Sequence, residues 1–264
     1  MTRLRRGRTL DGTAPYAGVA ASGYREMPQA GERDPRRNRL LRAVAPEQYA
    51  RLERQLQLVS FAARQPAYEA NDPITTVYFP LSGVLSPVTL LQGGETLAIA
   101  TIGNEGFVGH AVVLGMDRMP YHVICKVASV CAAVRADVLR EHLRVDGRFH
   151  TLLLRNVHAL FNQVAQIAAC NRVHPIEQRL ARCFLQVFDR TGISEYPVTH
   201  EFLAELLGVR RATITGAATR LQHGGLIRSE RGRIAILDHA GLEAAACECY
   251  RVMHAQYEEV LRAA

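Results

Sequence analysis

Between Thr199 and Ile227 the chain reads THEFLAELLGVRRATITGAATRLQHGGLI, a stretch in which arginine and threonine side chains recur at helical spacing. Arg211, Ala212, Thr215 and Thr219 fall on one outward face of the second helix that this pattern predicts, and Arg210 and Thr213 lie to its sides. Such a face suits the edges of bases. An arginine can give two parallel hydrogen bonds to guanine O6 and N7, while threonine and alanine meet other edges. Thr199, His200, Arg231 and Arg233, with Arg210 and Thr213, stand where backbone phosphates would be met, contacts that orient a protein without reading sequence.

These side chains need a rigid carrier, and the surrounding residues spell one. Thr199 can cap the first helix, with Glu201 near the positive end of its dipole. Ala204 is small where a second helix must cross closely, Gly208 supplies a left-handed turn residue, and Ile214 faces inward six residues later. Leu203, Leu207, Val209, Ala217 and Leu221 complete a small core, and Gly224-Gly225 ends the second helix. The next residues, IRSERGRIAIL, predict two short strands around Glu230-Arg231-Gly232. Two helices followed by a basic hairpin form a winged helix-turn-helix, and Tyr196 to Leu237 holds six arginines against three acids. That local surplus fits a nucleic-acid surface.

Upstream the pattern changes. Leu56 to Phe61, Ile74 to Phe79, Val84 to Leu91, Thr96 to Thr101, Tyr121 to Val127 and Val130 to Val134 are short β-rich runs separated by glycines. Their close spacing predicts an antiparallel roll, barrel or sandwich rather than βαβ units. From Phe149 onward Leu153, Val157, Leu160, Val164 and Ile167 are spaced as a heptad seam, which predicts a long helix pairing with a second copy. The fold expected is therefore α+β. It comprises a basic disordered arm (1–35), a β-roll sensor domain (36–146), a dimerisation helix (147–172), the winged helix-turn-helix (173–240) and a helical extension (241–264).

Composition narrows the partners. The net charge of +7 comes almost wholly from arginine, and the first 39 residues carry nine of them against four acids. No apolar run is long enough for a membrane span, so a cytoplasmic protein without membrane contact is expected. The six cysteines, at 125, 131, 170, 183, 247 and 249, show no CxxC spacing, so they are read as reduced thiols with no metal site. Cys247 and Cys249 have no matching pair in sequence and are assigned to an ordinary helix. No nucleophile elbow, phosphate loop or His-Glu-x-x-His is present, and the chain is not expected to be an enzyme.

With these residues in place, the chain resembles the Crp/Fnr family of bacterial regulators over about residues 36 to 237. The likeness rests on the glycine-punctuated roll, on Ile102-Gly103-Asn104-Glu105-Gly106-Phe107-Val108-Gly109, on the long helix and on the winged helix-turn-helix. It implies a homodimer with a cyclic-nucleotide-binding-like sensor domain, with palindromic double-stranded DNA and RNA polymerase as expected partners. Family members that bind cyclic AMP carry a glutamate after the cassette glycine and an Arg-Ser or Arg-Thr pair about eleven residues on. Here Gly109, His110, Tyr121 and His122 mark the corresponding effector pocket, so the phosphate-binding arginine is missing. Arg118 and Lys126 are the nearest substitutes. The iron-sulfur branch uses N-terminal cysteines, which residues 1–124 lack. His110, His122, His142, His150 and His158 are potential haem ligands, but single histidines on helices and strands are more often surface or hydrogen-bonded residues, so the cofactor stays unassigned. The alternative is a ligand-independent DNA-binding regulator whose degenerate roll is structural or docks a protein.

Overall fold

The computed structural model describes residues 33–262, so the predicted basic arm falls almost entirely outside the described residues. A single-turn 3-10 helix (Pro35–Arg37) leads into α1 (Arg39–Arg42). Asn38 fixes this entry from both sides. Its Oδ1 accepts from the Leu40 and Leu41 amides, and its Nδ2 donates to the carbonyls of Pro80 and Gly106 at 3.0 and 2.8 Å. Leu40 and Leu41 are thereby held in the core, and α2 (Pro46–Glu53) opens at Pro46, whose ring pre-sets the first helical φ.

The roll follows as β1 (Gln57–Phe61), β2 (Pro66–Tyr68), β3 (Thr76–Pro80), β4 (Val84–Leu90), β5 (Thr96–Ala98), the short helix α3 (His110–Val113), β6 (His122–Val127) and β7 (Ser129–Arg135). Every pairing is antiparallel. One sheet has the order β1-β7-β3 and the other β2-β6-β4-β5. Only Ala128 separates β6 from β7, so the chain changes sheets there within one residue. Gly83 makes this possible: its φ is +70°, and a Cβ would stand 2.1 Å from the Ala128 carbonyl oxygen. Phe79, Phe107, Leu85, Val77 and Cys131 fill the interior.

From β7 the chain turns into α4 (Ala136–Val145) and then α5 (Gly147–Val173), which Asp146 caps by accepting from the amides of Arg148 and Phe149. The heptad reading of this helix needs correcting by one residue. Leu153, Leu160 and Ile167 are buried within the chain itself, and Val157 and Val164 pack against the roll core. Apolar burial is satisfied there without a second copy. The outward series is Leu154, His158, Phe161, Ala165 and Ala168, in which Leu154 is 40% and Phe161 68% exposed.

Past Pro175, α6 (Ile176–Thr191) leads to β8 (Glu195–Pro197), α7 (His200–Leu207), α8 (Arg211–His223), β9 (Ile227–Glu230) and β10 (Arg233–Ile236). Strand β8, absent from the sequence reading, completes a three-stranded wing of order β8-β10-β9. Helices α9 (His239–Ala245) and α10 (Cys249–Arg262) follow, and α10 runs back along α5 to bury Tyr257 and Val260 in the roll core. The C-terminal extension thus spans both domains, with Leu242 and Tyr250 in the core of the helix-turn-helix and Tyr257 and Val260 in that of the roll.

The loop 101–106 ties all of this together. Gln163 of α5 forms a reciprocal amide pair with Thr101, accepting from its N–H at 3.0 Å and donating to its carbonyl at 3.2 Å. Asn156 donates to the Glu105 carbonyl, and the Glu105 carboxylate accepts from Arg190 Nε of α6 at 2.7 Å. Both partners of that ion pair are less than a tenth exposed. Gly103 lacks the Cβ that would come within 2.6 Å of Arg190 Cγ, which lets the arginine lie across the loop. Breaking a buried ion pair leaves an uncompensated charge at a cost of about 3–5 kcal/mol. Glu105→Gln should therefore lower the unfolding free energy obtained from urea titration by an amount in this range, and adding Arg190→Met should recover part of the loss in the same titration.

Candidate nucleic-acid interface

Helix α7 is capped as its sequence predicts, with Thr199 Oγ1 accepting from the Phe202 amide at 3.1 Å. Gly208 ends it at φ +63°, ψ 42°, the left-handed conformation that lets the chain turn into α8. Ile214, Ala217 and Leu221 of α8 are buried against Leu203, Leu207 and α6. The opposite face, carrying Arg211, Ala212, Thr215 and Thr219, is exposed, as are Arg210 and Thr213 on its flanks.

The predicted contact residues separate into two kinds. Arg211 projects into solvent with only a long approach of 3.8 Å to Glu201, and Ala212 and Thr219 are uncovered. Thr215 and His200 are instead joined to each other. His200 Nδ1 lies 3.1 Å from Thr215 Oγ1 and its Nε2 2.9 Å from Ser229 Oγ, so one imidazole bridges α7, α8 and β9. Burial and then the Arg211 charge lower its pKa, which favours the neutral ring. Its place is that of a brace holding the wing to the helices. Thr199 likewise spends its acceptor capacity on the cap.

The wing turns at Arg231 and Gly232, with φ of +48° and +74°, the pair of positive values that matches strand twist in a two-residue hairpin. A non-glycine residue in this region costs about 1–2 kcal/mol, and it places the Arg231 side chain at the hairpin tip. Arg233 is set further back, donating from Nε to Glu195 at 2.8 Å, and Arg228 meets the same carboxylate at 3.3 Å. Sequence reading passed over Arg220, Arg228 and His223. All three are exposed beside the outward face, and Arg220 pairs with Glu177. The local arginine surplus was the signal that could have found them.

Residues 58–146 match the cyclic nucleotide-binding domain model and residues 178–245 the Crp-like helix-turn-helix domain model. The chain belongs to the Crp/Fnr family of DNA-binding transcription regulators. A CRP-like cAMP-activated global transcriptional regulator of Mycobacterium tuberculosis is 23% identical over 212 residues, covering 75% of this chain and 92% of that protein. The transcriptional regulator SdrP of Thermus thermophilus is 24% identical over 65% of this chain and 84% of its own. Among solved structures, FixK2 from Bradyrhizobium japonicum superposes with a TM-score of 0.62 at 14% identity, covering 73% of this chain and 98% of that one. The fold is thus shared along nearly the full length of FixK2.

At the predicted effector cassette, His110 and Tyr121 pair with each other, while Gly109 and His122 meet residues outside the predicted set. Gly109 takes φ +100° at the head of α3, where a Cβ would meet Tyr68 Oη at 2.8 Å. His110 Nε2 lies 2.6 Å from Tyr121 Oη with the rings stacked. Burial lowers His110 to about 4 and raises Tyr121 to about 12, so at neutral pH the hydroxyl donates to an uncharged imidazole. His122 engages Glu69 at 2.6 Å. The two cations considered as substitutes are engaged elsewhere: Arg118 donates to the Asn71 carbonyl, and buried Lys126 reaches Cys183 Sγ at 3.0 Å. An open depression of about 240 Å³ lined by Tyr68, Glu69, Asp72 and Tyr78 carries carboxylates, the wrong sign for a phosphate.

Cysteines read in sequence as reduced thiols with no metal site are drawn together with a histidine by the fold. Cys170 and His174 supply the pair that Cys247 and Cys249 lacked in sequence, and the four ligand atoms lie within 4.8 Å of one another.

The cassette histidine sets a pH dependence. A base whose folded pKa is depressed contributes stability at pH above its unfolded value of 6.5, and that contribution is lost as protons bind the unfolded chain first. Between pH 7 and pH 4.5 the loss from His110 should be about 2–3 kcal/mol. His110→Gln, which keeps a hydrogen bond to Tyr121, should flatten the stability profile by that amount in denaturant titrations across the range.

Proposed function

We propose that this Crp/Fnr regulator acts as a cytoplasmic homodimer that reads a palindromic site with two copies of α8, one per half-site. The observation that carries the reading is the bare outward face of α8, flanked by the Arg231 tip and anchored by the His200 brace. Arg211 is the base reader, with Ala212 and Thr219 beside it, while Arg210, Thr213, Arg220, Arg228, Arg231 and Arg233 meet phosphates. Half-sites one helical turn apart follow from two-fold symmetry.

The dimer forms along the outward series of α5, with Leu154 and Phe161 as the apolar knobs. Large exposed apolar side chains spaced seven apart on one helix are the signature of a helix whose partner is another chain. Because the cassette presents a neutral His110–Tyr121 pair in place of a cation, the effector is not a cyclic nucleotide bound in the usual manner. A desolvated phosphate without a cationic partner is strongly disfavoured.

Selection of sites from a random duplex library by the purified protein tests the reading: a palindrome with half-sites one turn apart is expected. Arg211→Ala should relax preference at one position in each half-site, losing about 1–3 kcal/mol of discrimination. Arg231→Ala should weaken binding to all duplexes and flatten its salt dependence by about one counterion. Retention of full selectivity by Arg211→Ala would reject the docking.

Phe161→Glu places a charge on the dimer seam. Sedimentation should show its dimer weakened at least roughly tenfold, a hot-spot loss above about 1.4 kcal/mol, with unchanged circular dichroism. A variant that stays as dimeric as the parent would place the interface elsewhere.

A further inference from the structure

The end of α5 and the turn between α9 and α10 meet at a cluster that shares no residue with α8 or the wing. Cys170 lies in the last turn of α5, and His174 sits one helical turn on as its C-cap residue. Cys247 lies in the turn between α9 and α10 and Cys249 begins α10, with Glu248 between them. The three cysteines are buried, packed with Ile167 and Met253, and His174 is nearly so. Cys170 Sγ and Cys247 Sγ are 3.6 Å apart, and Cys249 Sγ is 3.5 Å from His174 Nδ1.

We infer that Cys170, His174, Cys247 and Cys249 form a tetrahedral zinc site that clasps the C-terminal extension to the long helix. Ligands held about 2.3 Å from a central ion at tetrahedral angles stand about 3.8 Å from one another, close to the separations above. Four ligand atoms within 4.8 Å suit one ion. The ligands of an iron-sulfur cluster are divided among two or more irons, so some stand well apart across it, and the compactness of all four here points to a mononuclear centre. Three soft thiolates and one imidazole, with no carboxylate among them, select zinc rather than calcium or magnesium.

The surroundings complete the arrangement. His174 directs Nδ1 at the cluster and Nε2 at the Glu248 carboxylate, 3.2 Å away, the partner that orients a metal-bound histidine. Gln166 Nε2 donates to Cys249 Sγ at 3.0 Å. Zinc with three thiolates carries a single net negative charge, which needs a buried cation nearby. Arg179 and Arg182 are both buried, each with a side-chain Nε that has no hydrogen-bond partner, and their charges act on Cys170 and Cys247. All four protein ligands are present, leaving no open position, so the role is structural. The site brackets the whole DNA-binding unit, from the end of α5 to the start of α10, and closes it at its base.

The full-length chain, purified under reductant from zinc-supplemented growth, should carry about one zinc per chain by elemental analysis. Substitution with Co2+ should give the ligand-field and thiolate charge-transfer bands of a tetrahedral site. Cys249→Ala should abolish the bound metal, whereas Cys183→Ala, a buried thiol outside the set, should retain it. Glu248→Gln keeps the decision independent of core packing, because its carboxylate is 72% exposed. It should weaken zinc affinity about tenfold. A metal-free parent chain whose cobalt form lacks thiolate bands would overturn the assignment, as would a Cys170–Cys247 disulfide formed in the presence of zinc.

Discussion

Everything in this molecule leans on the way one loop of the roll satisfies polar groups that two helices bury. The amide of Gln163, the amide of Asn156 and the guanidinium of Arg190 all lie inside the protein, and each would carry a desolvation penalty if left unpaired. Residues 101–106 answer all three within six positions. Hydrophobic contact between the roll and α5 could slide by a helical step at little cost, because leucine and valine surfaces are not directional. The reciprocal Gln163–Thr101 pair and the Glu105–Arg190 pair remove that freedom. They fix α5 and α6 against the same segment, and with them the base of the DNA-binding unit.

A second contact joins the two halves farther out. The core of the helix-turn-helix does not stop at its own helices: Val84, Val88 and Ile124 of the roll pack into it with Leu180, Phe184 and Leu207. Leu97 of β5 lies where a side chain at Gly208 would be, 2.9 Å from the missing Cβ. Arg64 stacks over Phe202 and pairs with Glu205 of α7. The β4–β5 flap and the turn between α7 and α8 are therefore one packed surface. An event that displaced the flap would be felt at the start of α8 through rigid contacts, and a ligand could act only by binding the docked and undocked arrangements unequally. The glycine at 208 has two independent reasons to be there, its positive φ and the close approach of Leu97.

The parts legible in sequence were those where local chemistry dictates conformation. Thr199, Gly208, Ile214 and the Glu230–Gly232 turn mark the winged helix-turn-helix because each sits where a cap, a left-handed residue, an inward side chain or a hairpin reversal has few substitutes. Strands β2 and β8 were missed because three residues in a sheet are specified by their partners rather than by their own pattern. The seam of α5 failed for a subtler reason: a helix with two apolar faces carries two heptad series one residue apart, and periodicity alone does not say which is covered by its own chain. Leu153 and Ile167 look as suited to a partner as Leu154 and Phe161 until α10 and the roll are seen against them. Cys170 and Cys247 are 77 residues apart, and only the return of α10 along α5 brings them together.

Helix α8 carries one residue that its own fold does not explain. Gly216 lies within α8, where glycine costs about 1 kcal/mol relative to alanine, yet a Cβ there would meet nothing closer than Arg220 Nη1 at 3.5 Å. Packing inside the chain does not require it. With Ala212 one turn earlier, it strips the middle of the outward face to backbone and methyl, leaving Arg211 and Thr219 as the polar groups that reach furthest. A helix so pared can approach the floor of a groove more closely than one bearing long side chains at those positions. On the docking proposed above, selectivity would rest on few hydrogen bonds and on the shape and methyl pattern of the bases.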